Sequence, residues 1–504
     1  MTDVSSPDPG KASGGLAGRA AASALWSVVQ NLVTRVTAFV TVLFLARLLS
    51  PRDFGVVAIV ATLIPILQVV ADLGITVYIL QHRKPTKLIY DTYFWTSSSI
   101  ALVGGVIMFF FAPLIAQLLG EPTAGPVLQG LAPTALFVTL GAVPQTMLRR
   151  ELRYQAIAIQ STIAAVLSQV VAVIAAVLGA GVWALVLQTL TAQFVVNLLA
   201  WIIVKYRPAF QFSRSELVRM VSFGGNYVVS TALQAGAQFL INLVITQTLG
   251  VSALGYLNIV QRLVNVVINA VMPAVVQVWT VAFSMLRDEV ERLRSGYLRS
   301  FSTMYAFLVP AIVFVSASAQ HLVPFLYGDQ WGPSIIPGEL LAFAALFVVD
   351  SLDHALYAGL GRPKMWTLYT LYSAVLLVAA AWVGSAGGLI GVAVAELIAN
   401  IVVTFIRWFL TARLLGTGWW TISRLFGRVG MAGTAAALAG YLVAWGSSGL
   451  PDLVSVILVG LSVVVVYLPL LRITSRSTWS EIETLIRHAA GRFLRRGTHP
   501  SPEL

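Results

Sequence analysis

The chain contains no cysteine, and Asp, Glu, Lys and Arg together supply only 10% of its 504 residues. The first absence excludes disulfides and thiolate chemistry. The second separates the chain from soluble globular domains, in which about a quarter of residues are charged. With 58% apolar residues, this composition is that of a membrane protein. A Walker A sequence, a dinucleotide-binding fingerprint and a zinc-type His pair are also missing, which argues against nucleotide hydrolysis and metal catalysis. No catalytic residue, metal ligand or cofactor is therefore expected. The net charge of +12 would suit nucleic acid if it formed a stripe. Its basic residues stand instead in short groups between long apolar runs, which fits membrane topology, and nucleic acid is not an expected partner.

A hydrocarbon core about 30 Å thick takes roughly twenty helical residues to cross. Fourteen stretches meet that length: 22–49, 56–80, 92–119, 126–148, 156–178, 182–204, 219–249, 254–284, 297–318, 335–360, 364–384, 387–412, 425–446 and 451–471. The connectors sort by charge. "QHRKPTK", "RRELRY", "KYRPAFQFSRSELVR", "RDEVERLRSGYLR", "GRPK" and "GTGWWTISR" alternate with "SPRD", "GEPTAG", "GAG", "GVSA", "YGDQWGPS", "GSAGG" and "SSGLPD". Since Lys and Arg stay on the cytoplasmic side, the first set and both termini are expected there. Residues 1–21, rich in Pro, Gly and Ser, read as a disordered cytoplasmic tail. Residues 475–504 read as a cytoplasmic amphipathic tail on anionic lipid, with a capping box from Ser480 to Glu483.

Leu49, Gly55, Ile59 and Val60 in the first outer turn recur as Leu249, Gly255, Ile259 and Val260, and "ALFV" at Ala135 recurs at Ala345. Six spans separate the two turns, so the halves share one orientation and form parallel repeats. The expected architecture is an all-α polytopic protein with an N-lobe at 22–204, a C-lobe at 219–412, and two appended helices at 425–471.

Charged or polar side chains inside a span need a partner, a wet cavity or a function. Arg35 and Asp72 lie at similar depth below their shared turn, so they read as either a structural ion pair or a cavity arginine positioned by an acid. Asn226, Ser230, Gln234, Gln238 and Asn242 recur every four residues along span seven, on one helical face. Span eight carries Asn258, Gln261, Arg262, Asn265 and Asn269. The two stripes are either interhelical glue or the lining of a hydrated cleft, where amides bind sugar hydroxyls and Arg262 meets an anion. Asp350, Asp353, His354 and Glu396 are coupling or ion-pair candidates. Arg407 is expected to snorkel to the cytoplasmic interface. Pro65, Pro133, Pro144, Pro273 and Pro310 permit kinks within spans.

"ARLLSPRDFGVVA", "MLRRELRYQAIA", "GAGVWALVLQTL", "SFGGNYVVSTAL", "LGYLNIVQRL" and "YGDQWGPSI" resemble the polysaccharide transporter family. These are the Wzx-type flippases of the multidrug/oligosaccharidyl-lipid/polysaccharide exporter superfamily, and the resemblance runs from about Leu25 to Leu415. It implies a fourteen-helix, two-lobed protein of the bacterial plasma (inner) membrane. Such a protein flips undecaprenyl-diphosphate-linked oligosaccharide repeat units to the outer leaflet by alternating access. Arg35 matches a cavity arginine of related flippases. Where relatives often read "LGYYNRAQR", Leu257, Ile259 and Val260 stand here, although Arg262 remains. On this reading Arg35 and Arg262 hold the diphosphate and Gln234, Gln238, Asn242, Asn265 and Asn269 meet the glycan. Proton or sodium coupling through Asp72, Asp350, Asp353 or Glu396 stays open. Expected partners are the lipid-linked oligosaccharide, membrane lipids, and glycan polymerase and chain-length machinery, with the protein itself a monomer. A cation-coupled small-molecule exporter and a membrane glycan polymerase or ligase are the alternatives.

Overall fold

The structure, a computed structural model, describes residues 37–286, 289–484 and 487. Among these residues every regular element is helical. The chain runs through α1 (Thr37–Leu48), then α2 (Pro51–Ala61), α3 (Leu63–Asp72), α4 (Ile75–Gln81), α5 (Lys87–Phe110), α6 (Ala112–Leu118), α7 (Ala124–Arg150), α8 (Tyr154–Val177) and α9 (Trp183–Val204). It continues with α10 (Arg214–Leu249), α11 (Val251–Met285), α12 (Val290–Tyr327), a 3-10 turn (Asp329–Ser334), α13 (Ile335–Val348), α14 (Ser351–Gly359), α15 (Pro363–Ser385), α16 (Gly388–Leu414), α17 (Trp419–Gly446) and α18 (Asp452–Thr474). A last helix, α19, covers residues 476–484. Thirteen segments among the described residues are long and apolar enough to cross a membrane. Most of the first expected span lies outside the described residues, and its described part is α1.

The chain forms two compact units divided after Ser252. In the first, α5, α7, α8 and α9 pack on one another, and α10 packs on α2, α3, α4 and α5. In the second, α12 is the hub against which α13, α17 and α18 lie, and α16 packs on α13, α15 and α17.

The recurring turn takes a different backbone form in each place. Ser50 is extended (φ −78°, ψ 158°) and caps α2 through a reciprocal capping box with Asp53, with Pro51 at the first helical position. Between α10 and α11 the junction is the single residue Gly250, at φ 85° and ψ 163°, a backbone state that favours glycine. Ile59 and Val60 are buried in the first unit, and Ile259 and Val260 in the second. The second echo behaves alike, since Ala135 and Ala345 are both buried.

Several spans differ from the expected single helices. Span two breaks at Leu73 and Gly74, both left-handed at φ 48° and 74°. There the backbones of Gly74 and Gly224 meet so closely that a β-carbon on Gly224 would stand 2.7 Å from Gly74 Cα. Span three breaks at Phe111, just before Pro113, and span ten breaks between Val348 and Ser351. Pro133 and Pro144 stay inside an unbroken α7. At the chain's end, Ser480 donates to the Ser477 carbonyl from within α19, so it is no cap. Ser475, bonded to Thr478 at 2.7 Å, stands at the helix start instead. Glu481 accepts from Arg299 Nε at 2.8 Å and from Thr303 at 2.9 Å, which docks this helix on α12. The remainder of the expected amphipathic tail, apart from Arg487, lies outside the described residues, as do the N-terminal tail and Arg35.

Candidate functional site

The polar stripe of span seven forms on α10 in the first unit. Gln234 and Gln238 are exposed on the protein surface, while Asn242 is buried. Gln238 Nε2 donates to Asn242 Oδ1 at 3.0 Å, and the Asn242 carbonyl accepts from Thr246 at 2.8 Å. The side chain of Asn226 is outside what the structure describes. An amide in hydrocarbon would lose hydrogen bonds it makes in water, so exposed glutamines within a membrane-spanning helix call for a hydrated space.

In the second unit α11 presents the other set. Arg262 is half-buried, donates from Nε to Asn258 Oδ1 at 2.9 Å, and has Tyr327 of α12 as an electrostatic neighbour. Asn265 and Asn269 are exposed. Arg262 lies twelve residues past Gly250, about 18 Å along the helix at 1.5 Å per residue. This depth belongs to the membrane interior.

The acids separate by environment. Asp72 ends α3 and its carboxylate is surrounded by donors: Gly74 N–H at 3.1 Å, Thr76 Oγ1 at 2.5 Å and Tyr93 OH at 2.7 Å. It therefore closes the break in span two. Asp353, in the first turn of α14, accepts from Tyr297 OH at 2.7 Å and Thr411 Oγ1 at 2.9 Å. Its second oxygen faces Arg407 Nε at 3.1 Å, both side chains being at most 3% exposed. Arg407 thus does not snorkel to the interface. An available carboxylate and the Phe347 carbonyl, 3.4 Å from its Nη2, hold it in the interior, because a buried charge is stabilised only by a paired one. His354 is exposed with its ring against Trp366 at 5.0 Å, turned to a different environment from buried Asp353. Asp350 and Glu396 are half-buried, and Asp350 has Arg407 and His354 as electrostatic neighbours.

Three polar contacts escape sequence reading. Arg150 donates to the carbonyls of Ile79, His82 and Arg83 at 2.6–2.7 Å, capping the C-terminus of α4. His321 on α12 places Nδ1 2.9 Å from Asp452 Oδ1 and Nε2 3.1 Å from the Ala444 carbonyl, so it fastens α17 and α18. Tyr206 donates to Asp91. The available signal was that the members of each pair stand at the same end of their spans.

Among the described residues no group of three or more His, Asp or Glu side chains could hold a metal ion. A cavity of about 310 Å³ beside Pro333, Ile336 and Leu389 has neither charge nor amide in its lining, so it lacks the chemistry for a polar ligand.

Fold and site together define a multi-pass helical membrane protein with polar faces set inside its spans. Residues 44–336 match the family described as Polysaccharide biosynthesis protein, more than half of the 504 positions, and the chain belongs to that family. This agrees with the resemblance read from its motifs. The succinoglycan biosynthesis transport protein ExoT of Rhizobium meliloti (strain 1021) is 27% identical over 365 residues, covering 72% of this chain and 74% of the relative. The lipopolysaccharide biosynthesis protein WzxC of Escherichia coli (strain K12) is 23% identical over 406 residues, covering 79% and 82%. Among solved structures, the lipid II flippase MurJ in an inward closed conformation superposes with a TM-score of 0.72 at 15% identity, covering 90% of this chain and 98% of that one. An inward-facing multidrug resistance MATE family transporter of the MOP superfamily gives 0.63 at 20% identity, covering 78% and 95%. These two likenesses concern the fold.

Proposed function

We propose that the protein is a flippase for lipid-linked oligosaccharides, and that it carries undecaprenyl-diphosphate-linked repeat units from the cytoplasmic to the outer leaflet of the bacterial inner membrane by alternating access. The observation that carries this reading is the exposed amide pair Gln234 and Gln238 inside a membrane-spanning helix, in a chain of a polysaccharide biosynthesis family. Amides on such a face suit sugar hydroxyls. Arg262, with Arg35 as the second cation, suits a diphosphate, since a guanidinium presents a planar fork of donors to phosphate oxygens. The names of the relatives, a succinoglycan transport protein and a lipopolysaccharide biosynthesis protein, support a glycan cargo. The distribution of Lys and Arg supports a cytoplasmic position for both termini. Asp72 and Asp353 are engaged by structural donors, which leaves Asp350 and Glu396 for a coupling proton or sodium ion.

The test is translocation of an undecaprenyl-diphosphate-linked oligosaccharide in proteoliposomes. Hydrogen bonds to charged groups contribute about 1.5–3 kcal/mol, so Arg262→Ala is expected to slow translocation by about tenfold to a hundredfold. Gln234→Ala and Gln238→Ala remove neutral bonds of about 1 kcal/mol, and each is expected to slow it about fivefold. Wild-type rates in all three variants, and in Arg35→Ala, would reject the site.

A further inference from the structure

The loop between α9 and α10 doubles back along α5. Lys205 ends α9 in the left-handed region at φ 53°. Tyr206 then bonds Asp91, the Ala209 carbonyl accepts from Trp95 Nε1 at 2.8 Å, and the Ser213 N–H donates to Thr92 Oγ1 at 3.1 Å. Asp91 and Trp95 are four residues apart, so the loop advances about 6 Å along α5 before it returns. It moves away from the helix start at Lys87 and toward the middle of the span. Its turn is therefore pinned below the rim of the helices.

At that turn stands Phe210, 92% exposed and stacked on Trp95 with ring centroids 4.8 Å apart. Phe212, 58% exposed, follows. Lys205, Arg207 and Arg214, which flank the two rings in the sequence, are exposed. Ile202 on α9 and Val218 on α10, both exposed, continue the apolar surface of the spans onto the loop. Water is a poor solvent for two such rings, whereas a position at headgroup depth suits aromatic side chains flanked by cations.

We propose that residues 205–214 form a lipid-binding wedge in which Phe210 and Phe212 insert among acyl chains while Lys205, Arg207 and Arg214 bind the phosphates of anionic bilayer phospholipids. Charge complementarity and continuity with the lipid-facing spans favour lipid over a protein partner. The inference is independent of what the protein moves.

Because the chain has no cysteine, an introduced one is unique. Nitroxide labels at Phe210→Cys, Phe212→Cys and the exposed loop position Lys84→Cys would be compared in nanodiscs containing phosphatidylcholine and phosphatidylglycerol, by collision with oxygen and with a water-soluble nickel chelate. The ratio of oxygen to nickel accessibility is expected to be severalfold higher at 210 and 212 than at 84. In a second arm, spin-labelled phosphatidylglycerol is expected to be immobilised more than spin-labelled phosphatidylcholine by the wild type, and the preference to shrink in the triple variant Lys205→Gln, Arg207→Gln, Arg214→Gln. A nickel-dominated ratio at both positions would place the loop in water. Shielding from both agents would mean that protein covers it, and an unchanged lipid preference would remove the cations from the site. Any of these three results overturns the proposal.

Discussion

Arg407 and Asp353 are buried together, and a buried pair is far more sensitive to losing one partner than to losing both. Removing one leaves an uncompensated charge, at about 3–5 kcal/mol. Arg407→Gln and Asp353→Asn should each lower the unfolding midpoint of the detergent-solubilised protein strongly, and Arg407→Met with Asp353→Leu should lower it less. Full stability combined with lost transport in Asp353→Asn would instead make Asp353 a coupling residue. A second ion pair behaves differently because it is wet. Arg52 Nη2 meets Glu121 Oε1 at 2.8 Å with the arginine side chain 57% exposed. Burial pushes the Glu121 carboxyl up, but hydrogen bonds from Thr123 and Arg52, with the Arg52 charge, outweigh it and hold it below the ordinary glutamate value. Depression means that the stabilisation is complete above the unfolded value of about 4.3 and is lost as pH falls through the lower folded value. Glu121→Gln should therefore cost about 1 kcal/mol or less at neutral pH, given the exposure of Arg52. Thermal melts of the two proteins should converge below about pH 4.

At the scale of elements, the interrupted spans share one arrangement: a neighbouring helix supplies polar groups where the backbone ladder stops, as buried backbone requires. Tyr93 and Ser97 of α5 bond Asp72 and the Ala71 carbonyl at the break in span two. Arg407 and Thr404 of α16 reach the Phe347 carbonyl where α13 ends. The crossing of Gly74 and Gly224 is the tightest of these contacts. Gly224→Ala should destabilise the protein by about 1–3 kcal/mol, as overpacking does, whereas Gly225→Ala, with nothing within 4 Å of a β-carbon, should be nearly neutral. Equal melting temperatures for both variants would show that the helices separate freely. Such features mark the limit of sequence reading. The apolar runs gave fourteen expected spans, and thirteen candidate segments stand among the described residues, because length and hydrophobicity alone define a crossing; steps of four found Gln234, Gln238 and Asn242 because one helix repeats its own face. Neither signal carries the register between helices. That register decides that Asn242 is buried while Gln238 is exposed, and that Arg407 meets Asp353. Gly74 stands inside a run of apolar residues, so 56–80 read as one span and the break was concealed.

For the whole molecule, the two occurrences of one turn, at Ser50 and Gly250, constrain how the chain is threaded. Six candidate spans lie between them among the described residues, an even number, and the proposal that follows is that both turns open on the same side of the membrane, with each later connector assigned its side by counting. On the same proposal that side is the outer one, because the connectors on it are poor in Lys and Arg. The assignment can be tested position by position, since the chain has no cysteine to give background. Ala386→Cys and Ser448→Cys, both exposed in connectors poor in Lys and Arg, should react with a membrane-impermeant maleimide in intact cells stripped of their outer envelope. Thr86→Cys and Ser215→Cys, exposed beside basic connectors, should react only after permeabilisation. The four substitutions leave Lys and Arg untouched, so they do not disturb the charge bias that sets orientation. Labelling of only one of residues 86 and 215 from outside would mean that a span has been miscounted between them. The two turns would then face opposite sides, and the halves would be inverted rather than parallel repeats.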